Sequence, residues 1–188
     1  MTILRDIAPG EETRRCAQCD ACCVAVAVEE IAKPEQERCD HQTSTGKPGC
    51  AIYDERPLSC RVWSCAWLQG FGTSNDRPDK LGLIFDAIET IGGPTIQARE
   101  VWAGAFYGNR AAGHLMRFSE RMPVVLMRRD GGRGLIGPPE VVRRMWDAVR
   151  DGTAEAGGGF VPNCQHNLTR SQCRPCMEAD VGWKGGER

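Results

Sequence analysis

The sequence predicts an α+β protein: an irregular, metal-stabilised cysteine-rich N-terminal region, then a small antiparallel ββαββα layer, then a zinc-knuckle-like tail. Three observations carry this reading. Eight of the eleven cysteines fall between Cys16 and Cys65. Two pairs of apolar, β-prone runs are each split by a glycine-rich turn, Ile91-Gly92-Gly93 and Asp130-Gly131-Gly132, which is a hairpin signal. A segment with apolar residues at helical spacing follows each pair. With 188 residues the chain can bury a core of its own, so metal adds to a fold and does not substitute for one.

Residues 1–15 read as a polar lead-in, broken by Pro9 and Gly10, without the apolar stretch of an export signal. Residues 16–69 form the cysteine-cluster region. Pro34, Gly46, Pro48, Gly49 and Pro57 cut it into short pieces, leaving room only for brief elements such as a strand over Val24–Val28. Residues 70–150 form the α+β layer, entered through a surface loop over 70–80. Leu81–Glu89 and Pro94–Trp102 pair as strands. Asn109 caps a helix that runs to Arg121 and sets Ala111, Leu115, Phe118 and Met122 on one face. Pro123–Arg129 and Gly134–Ile136 make the second hairpin. Pro138 and Pro139 open a last helix, with Val141, Val142, Met145, Trp146 and Val149 inward and Gly152 at its end. The order ββαββα places the helices on one side of an antiparallel sheet. Residues 151–163 are a Gly-rich linker and 164–188 the tail.

The formal net charge of -1 offers polyanions no overall attraction, although residues 110–150 carry nine Arg against four acids. Bulk nucleic-acid binding is not expected. The longest apolar run, Ala21–Val28, has eight residues and is far short of a membrane span. A cytoplasmic protein is expected. An odd cysteine count with an adjacent pair suits an extracellular disulfide scaffold badly, and thiols of a reducing compartment more often hold metal.

Cys16, Cys19, Cys22 and Cys23 lie within eight residues, and Cys39, Cys50, Cys60 and Cys65 follow. Thiolates are soft donors that suit Zn(II) and iron–sulfur clusters, and C-x-x-C folds two of them onto one ion. Adjacent Cys22 and Cys23 point apart in most backbone conformations. Eight thiols are enough for two four-thiolate centres, or for one centre with thiols to spare. His41 adds an imidazole beside Cys39, compatible with a mixed S and N site. Four thiolates on Zn(II) leave a net charge of about -2, and Arg56 and Arg61, which flank Cys60, are the candidates to offset it. Trp63 and Trp67 are placed to shield the site from water.

Cys-x2-Cys-x2-Cys-Cys, then Cys39-x-His41, then Gly49-Cys50-Ala-Ile-Tyr53-x2-Arg56-Pro57-x2-Cys60-Arg61-x3-Cys65-x-Trp67, resembles the CxxCxxCC family, the YkgJ-like proteins described as a zinc- or iron-chelating domain. The resemblance covers residues 16 to 67 and reaches toward Arg77-Pro78-Asp79-Lys80. It implies metal chelation by these cysteines and supplies no reaction. A related cysteine cluster in flagellin lysine methylases keeps an enzyme role open by analogy.

The tail stands outside that resemblance. Cys164-x-His166-x6-Cys173-x2-Cys176 supplies three thiolates and an imidazole, the ligand set of a structural zinc knuckle. His114, in an apparent helix beside Leu115 and Met116, reads as a surface or packed histidine more than as a ligand, and the Arg128, Arg129, Arg133, Arg143 and Arg144 group as a solvated face.

The functional expectation is a metal-binding cysteine-cluster protein that chelates zinc or iron, the latter as an iron–sulfur centre, for structure or for a protein partner. Two alternatives stand beside it: an iron–sulfur redox or metal-dependent transferase enzyme, and a thiol-based redox sensor with Cys22 or Cys23 as the attacking thiol. No thioredoxin-like context surrounds any C-x-x-C, which weighs against the sensor. Eight cysteines in fifty residues exceed what one closed tetrahedral site uses, which weighs against a single structural zinc.

Overall fold

The computed structural model describes residues 14–16, 19–43 and 49–153. The tail ligands Cys164, His166, Cys173 and Cys176 lie outside the described residues. The described chain is a mixed α and β structure built on one four-stranded sheet. Its strands are β1 (Leu83–Thr90), β2 (Gly93–Glu100), β3 (Val124–Met127) and β4 (Arg133–Ile136), in the order β1-β2-β3-β4. Its helices are α1 (Ala21–Ala25), α2 (Leu58–Val62), α3 (Pro78–Leu81), α4 (Asn109–Ser119) and α5 (Pro139–Arg150).

Both expected hairpins form. β1 pairs antiparallel with β2 from Leu83↔Glu100 to Thr90↔Gly93, and β3 with β4 from Val124↔Ile136 to Met127↔Arg133. The sheet as a whole is not antiparallel, however. β2 and β3 run parallel, from Ile96↔Val124 to Arg99↔Met127, because α4 carries the chain back across the sheet between them. Nor do the helices share one side. Leu83, Phe85, Ala98 and Val124 face α4 through Ala111 and Leu115, whereas Val125 and Met127, one residue out of phase, face Met145 and Val141 of α5. Alternation along a strand sends neighbours to opposite faces. β1 is therefore buried along almost its whole length, with apolar residues at successive positions Leu83, Ile84 and Phe85 where a one-sided strand would alternate.

The helices keep their expected places with local differences. Gly108, in extended conformation, precedes α4 at the capping position, and Asn109 is already helical. In α5, Met145 is buried and Val141 packs inward, but Trp146 is exposed, since the sheet behind it offers only a narrow apolar strip. Gly82 closes α3 with a positive φ of 80° and turns straight into β1; a Cβ there would sit 2.5 Å from the Trp102 ring.

The cysteine region seats on the α5 side of β1. Ala21 and Ala25 of α1 pack with Cys65 against Ile84, while Cys19, Cys22, Trp63 and Trp67 close around them. Removing a side chain as buried as Ile84 costs about 2–5 kcal/mol. Arg14 ties the preceding chain down: its guanidinium donates to the carbonyls of Trp67 (2.8 Å), Phe71 (2.6 Å) and Gly72 (2.6 Å) and lies over the Trp67 ring. The last residues of the expected loose lead-in are thus anchored.

Candidate metal centre

The expected strand over Val24–Val28 is replaced by the short helix α1, followed by a single bridge between Val28 and Lys33. Packing decides this. Two alanines one turn apart let the backbone approach Cys65 and Ile84 closely, and that burial outweighs the β propensity of the valines. As a consequence Cys22 and Cys23 project from one helical turn about 100° apart.

α1 forms one wall of a cavity of about 190 Å³, an order of magnitude beyond the ~10–15 Å³ that one water requires. Cys16, Cys19, Cys22, Cys23, Cys39, Cys50 and Cys60 line it, together with His41. Val26, Val28, Ile31, Ile52 and Trp63 complete an apolar wall, and Lys33 and Arg56 bring positive charge. The remaining expected ligand, Cys65, is buried behind Cys19 and Cys22. The seven cysteines from Cys19 to Cys65 carry free thiols. Among the described residues no three or more His, Cys, Asp or Glu side chains form a group that could already hold a metal ion. The donors share one cavity without converging on a common point. The donor set and the shared cavity fit a thiophilic metal.

Local hydrogen bonding brings the distant cysteines in. The Cys39 amide donates to the Cys23 carbonyl (2.9 Å), Gln42 N–H returns to Cys39 O (3.0 Å), and Gln42 pairs with Cys50. Gln42 also donates through its side chain to Asp20, just before α1. Cys60 rides on α2, whose start is clamped by Glu30: its carboxylate accepts from Ser59 N–H (2.9 Å) and Ser59 O–H (2.7 Å). These bonds hold Glu30 below the ordinary carboxylate range.

Burial pushes the Cys65 thiol up to about 12 and Cys19 up to about 11. Backbone groups of Leu68 and Trp67 at Cys65, and of Ala21 and Asp79 at Cys19, oppose the rise without cancelling it. Cys22 and Cys23 are hydrogen-bonded side chain to side chain; the donor Cys22 is held well above its ordinary value, and the acceptor Cys23 is brought down to about 7. Burial also raises Cys60.

Of the two arginines chosen to offset charge, Arg56 lines the cavity, donating to Tyr53 O (2.7 Å) and stacking 3.6 Å over the Tyr53 ring. Arg61 is exposed and is not among the lining residues. The cation that sequence reasoning missed is Lys33. It is 7% exposed, and its Nζ donates to Val26 O (2.6 Å), Pro34 O (2.9 Å) and Val24 O (3.3 Å). Burial lowers its pKa, while Cys39, Cys23 and Cys22 favour its charged form. A lone lysine before a proline reads as solvated, so only the fold reveals it. Trp63 borders the cavity as expected, and Trp67 packs behind Cys65 while donating to Thr73 O (2.8 Å).

No helix among the described residues is long and apolar enough to cross a membrane. Comparisons of the chain with protein-family models, with curated proteins and with solved structures find no match.

Proposed function

We propose that this protein chelates zinc or an iron–sulfur centre through the thiolates of residues 16–65, as the resemblance to the CxxCxxCC proteins implies. One observation carries the reading: seven cysteines separated by up to 44 positions in the sequence, with His41, return to a single cavity. Soft donors in that number have few other uses in a buried, largely apolar space. Lys33 and Arg56 offset the negative charge that thiolates accumulate, and Trp63 limits water. Bound metal would supply either a rigid cross-link between α1, the 39–50 loop and α2 or, as iron–sulfur, an electron-carrying group. By ligand type, Cys164, His166, Cys173 and Cys176, outside the described residues, would supply the donors of a separate zinc site. The natural setting for such thiols is the cytoplasm.

Anaerobic purification with a visible spectrum, elemental analysis and a labile-sulfide assay tests this. Stoichiometric zinc in a colourless protein, or iron with sulfide in a brown one, is the expected outcome. Metal-free protein whose Cys23 alkylates rapidly would overturn it in favour of the redox-sensor reading, which the Cys22–Cys23 contact favours. An enzymatic role for the centre, redox or transferase, rests on the same cavity having apolar space beside the thiols.

A further inference from the structure

The eight cysteines from Cys16 to Cys65 do not fall into one undivided set. Cys19 and Cys22 pack directly with Cys65 against α1 and Ile84. Cys16 joins them through the turn that Cys19 N–H closes onto its carbonyl (2.8 Å), and it interacts electrostatically with Cys19, Cys22 and Cys65. On the other flank of α1, Cys23 O accepts from Cys39 N–H, the Cys39–Gln42 turn brings in Cys50, and the Glu30 clamp holds α2 so that Cys60 interacts with Cys23 and Cys39. Lys33, pinned to three carbonyls, interacts with Cys39 and Cys23 of this second group and also with Cys22, at the boundary between the two.

We propose that the Cys22–Cys23 peptide divides these thiols between two adjacent metal centres, one held by Cys16, Cys19, Cys22 and Cys65, the other by Cys23, Cys39, Cys50 and Cys60. This rests on the metal-binding reading above. Four thiolates are the complement of a closed tetrahedral Zn(II) site or of one cubane cluster, and the chain supplies that complement twice. Consecutive helical residues leave the axis about 100° apart, so a short helix can feed each of two centres with one of its adjacent thiols. Cys65 of the first centre lies against the sheet and Trp67, while its Cys16, Cys19 and Cys22 share the cavity with the second centre, Arg56 and His41.

The test compares the full-length chain with Cys65→Ser, Cys60→Ser and the double variant, by elemental analysis of the anaerobically purified proteins. Each single substitution is expected to remove the metal of one centre, and the double variant twice that amount, with any tail-bound metal common to all three. A double variant that loses no more than either single one would overturn the division in favour of a single centre. To guard against misfolding of a variant, metal-stripped full-length protein carrying only Cys164→Ser, Cys173→Ser and Cys176→Ser is titrated with Co(II). Thiolate-to-cobalt absorption saturating at two equivalents supports two centres, and saturation at one equivalent overturns them. Absence of cobalt uptake together with metal-free protein as purified would instead sink the metal-binding reading itself.

Discussion

Nε2 of His114 lies 2.6 Å from Oδ1 of Asp76. On the other edge of the ring, Nδ1 is 2.6 Å from a guanidinium nitrogen of Arg117, which can only donate, so Nδ1 accepts and Nε2–H points at the carboxylate. Asp76 also accepts from Arg110 through two bonds (2.6 and 2.7 Å) and from Thr73 N–H (2.7 Å). The network fastens α4 to the loop that follows the cysteine region. With both ring nitrogens engaged and the side chain buried, His114 is packed, the second of the two placements the sequence allowed.

Asp76→Ala is expected to destabilise the protein by about 3–5 kcal/mol, because it leaves Arg110, His114 and the Thr73 amide without their shared acceptor. Burial alone would raise the Asp76 pKa, but the Arg110, Thr73 and His114 hydrogen bonds outweigh it and hold the carboxyl well below the usual range. A depressed folded-state pKa means stability that is present above the unfolded value and lost as pH falls through the folded one. The stability gap between wild type and variant, read from urea melts, should stay constant from neutrality to about pH 5 and shrink only below about pH 4.

Gly72→Ala should disturb the same network from the other side. Gly72 has φ +68°, and an added Cβ would lie 2.6 Å from Asp76 Oδ2. A loss of about 1–3 kcal/mol is expected from the backbone conformation together with the displaced carboxylate. Thermal melts of the single variant and of Gly72→Ala combined with Asp76→Ala should show sub-additive losses.

Lys33→Met should cost about 2–4 kcal/mol, since three partly buried carbonyls lose a charged donor. Lys33→Arg should not restore it, because a planar fork cannot replace a tetrahedral ammonium among three carbonyls. Chemical denaturation gives the stability, and metal content of the same samples should fall with Met.

Asp86 is fully buried and pairs with Arg99 at 2.6 Å, whereas Glu35, which joins Arg99 and Arg133 to the cysteine region, is partly exposed. Asp86→Ala is therefore expected to cost about 3–5 kcal/mol and Glu35→Ala only about 1 kcal/mol. High salt should erase most of the second loss and little of the first.

Chelation of the metal is expected to loosen residues 19–43 and 49–67 first in hydrogen exchange, with protection also falling at Ile84, the β1 residue on which α1 rests. Strands β2 and β3 should stay protected. Uniform loss across the sheet would show that metal holds the whole fold.

The sequence by itself determined a great deal: the two hairpins, the two longer helices, and the eight ligand candidates of residues 16–65, seven of which border the cavity. Turn chemistry, helical period and thiol spacing are local signals, carried by residues a few positions apart. Only the tertiary structure decided that β2 and β3 run parallel, that α4 and α5 cover opposite faces, and that Ala21–Ala25 is helical despite its valine-rich surroundings. It alone also decided that Lys33 is buried beside the thiols while Arg61 turns outward, and that Cys65 sides with Cys19 and Cys22. Each of these depends on what a residue meets across the fold. A lysine or valine carries the same local preference wherever it stands, and burial against a distant strand is what overrides it.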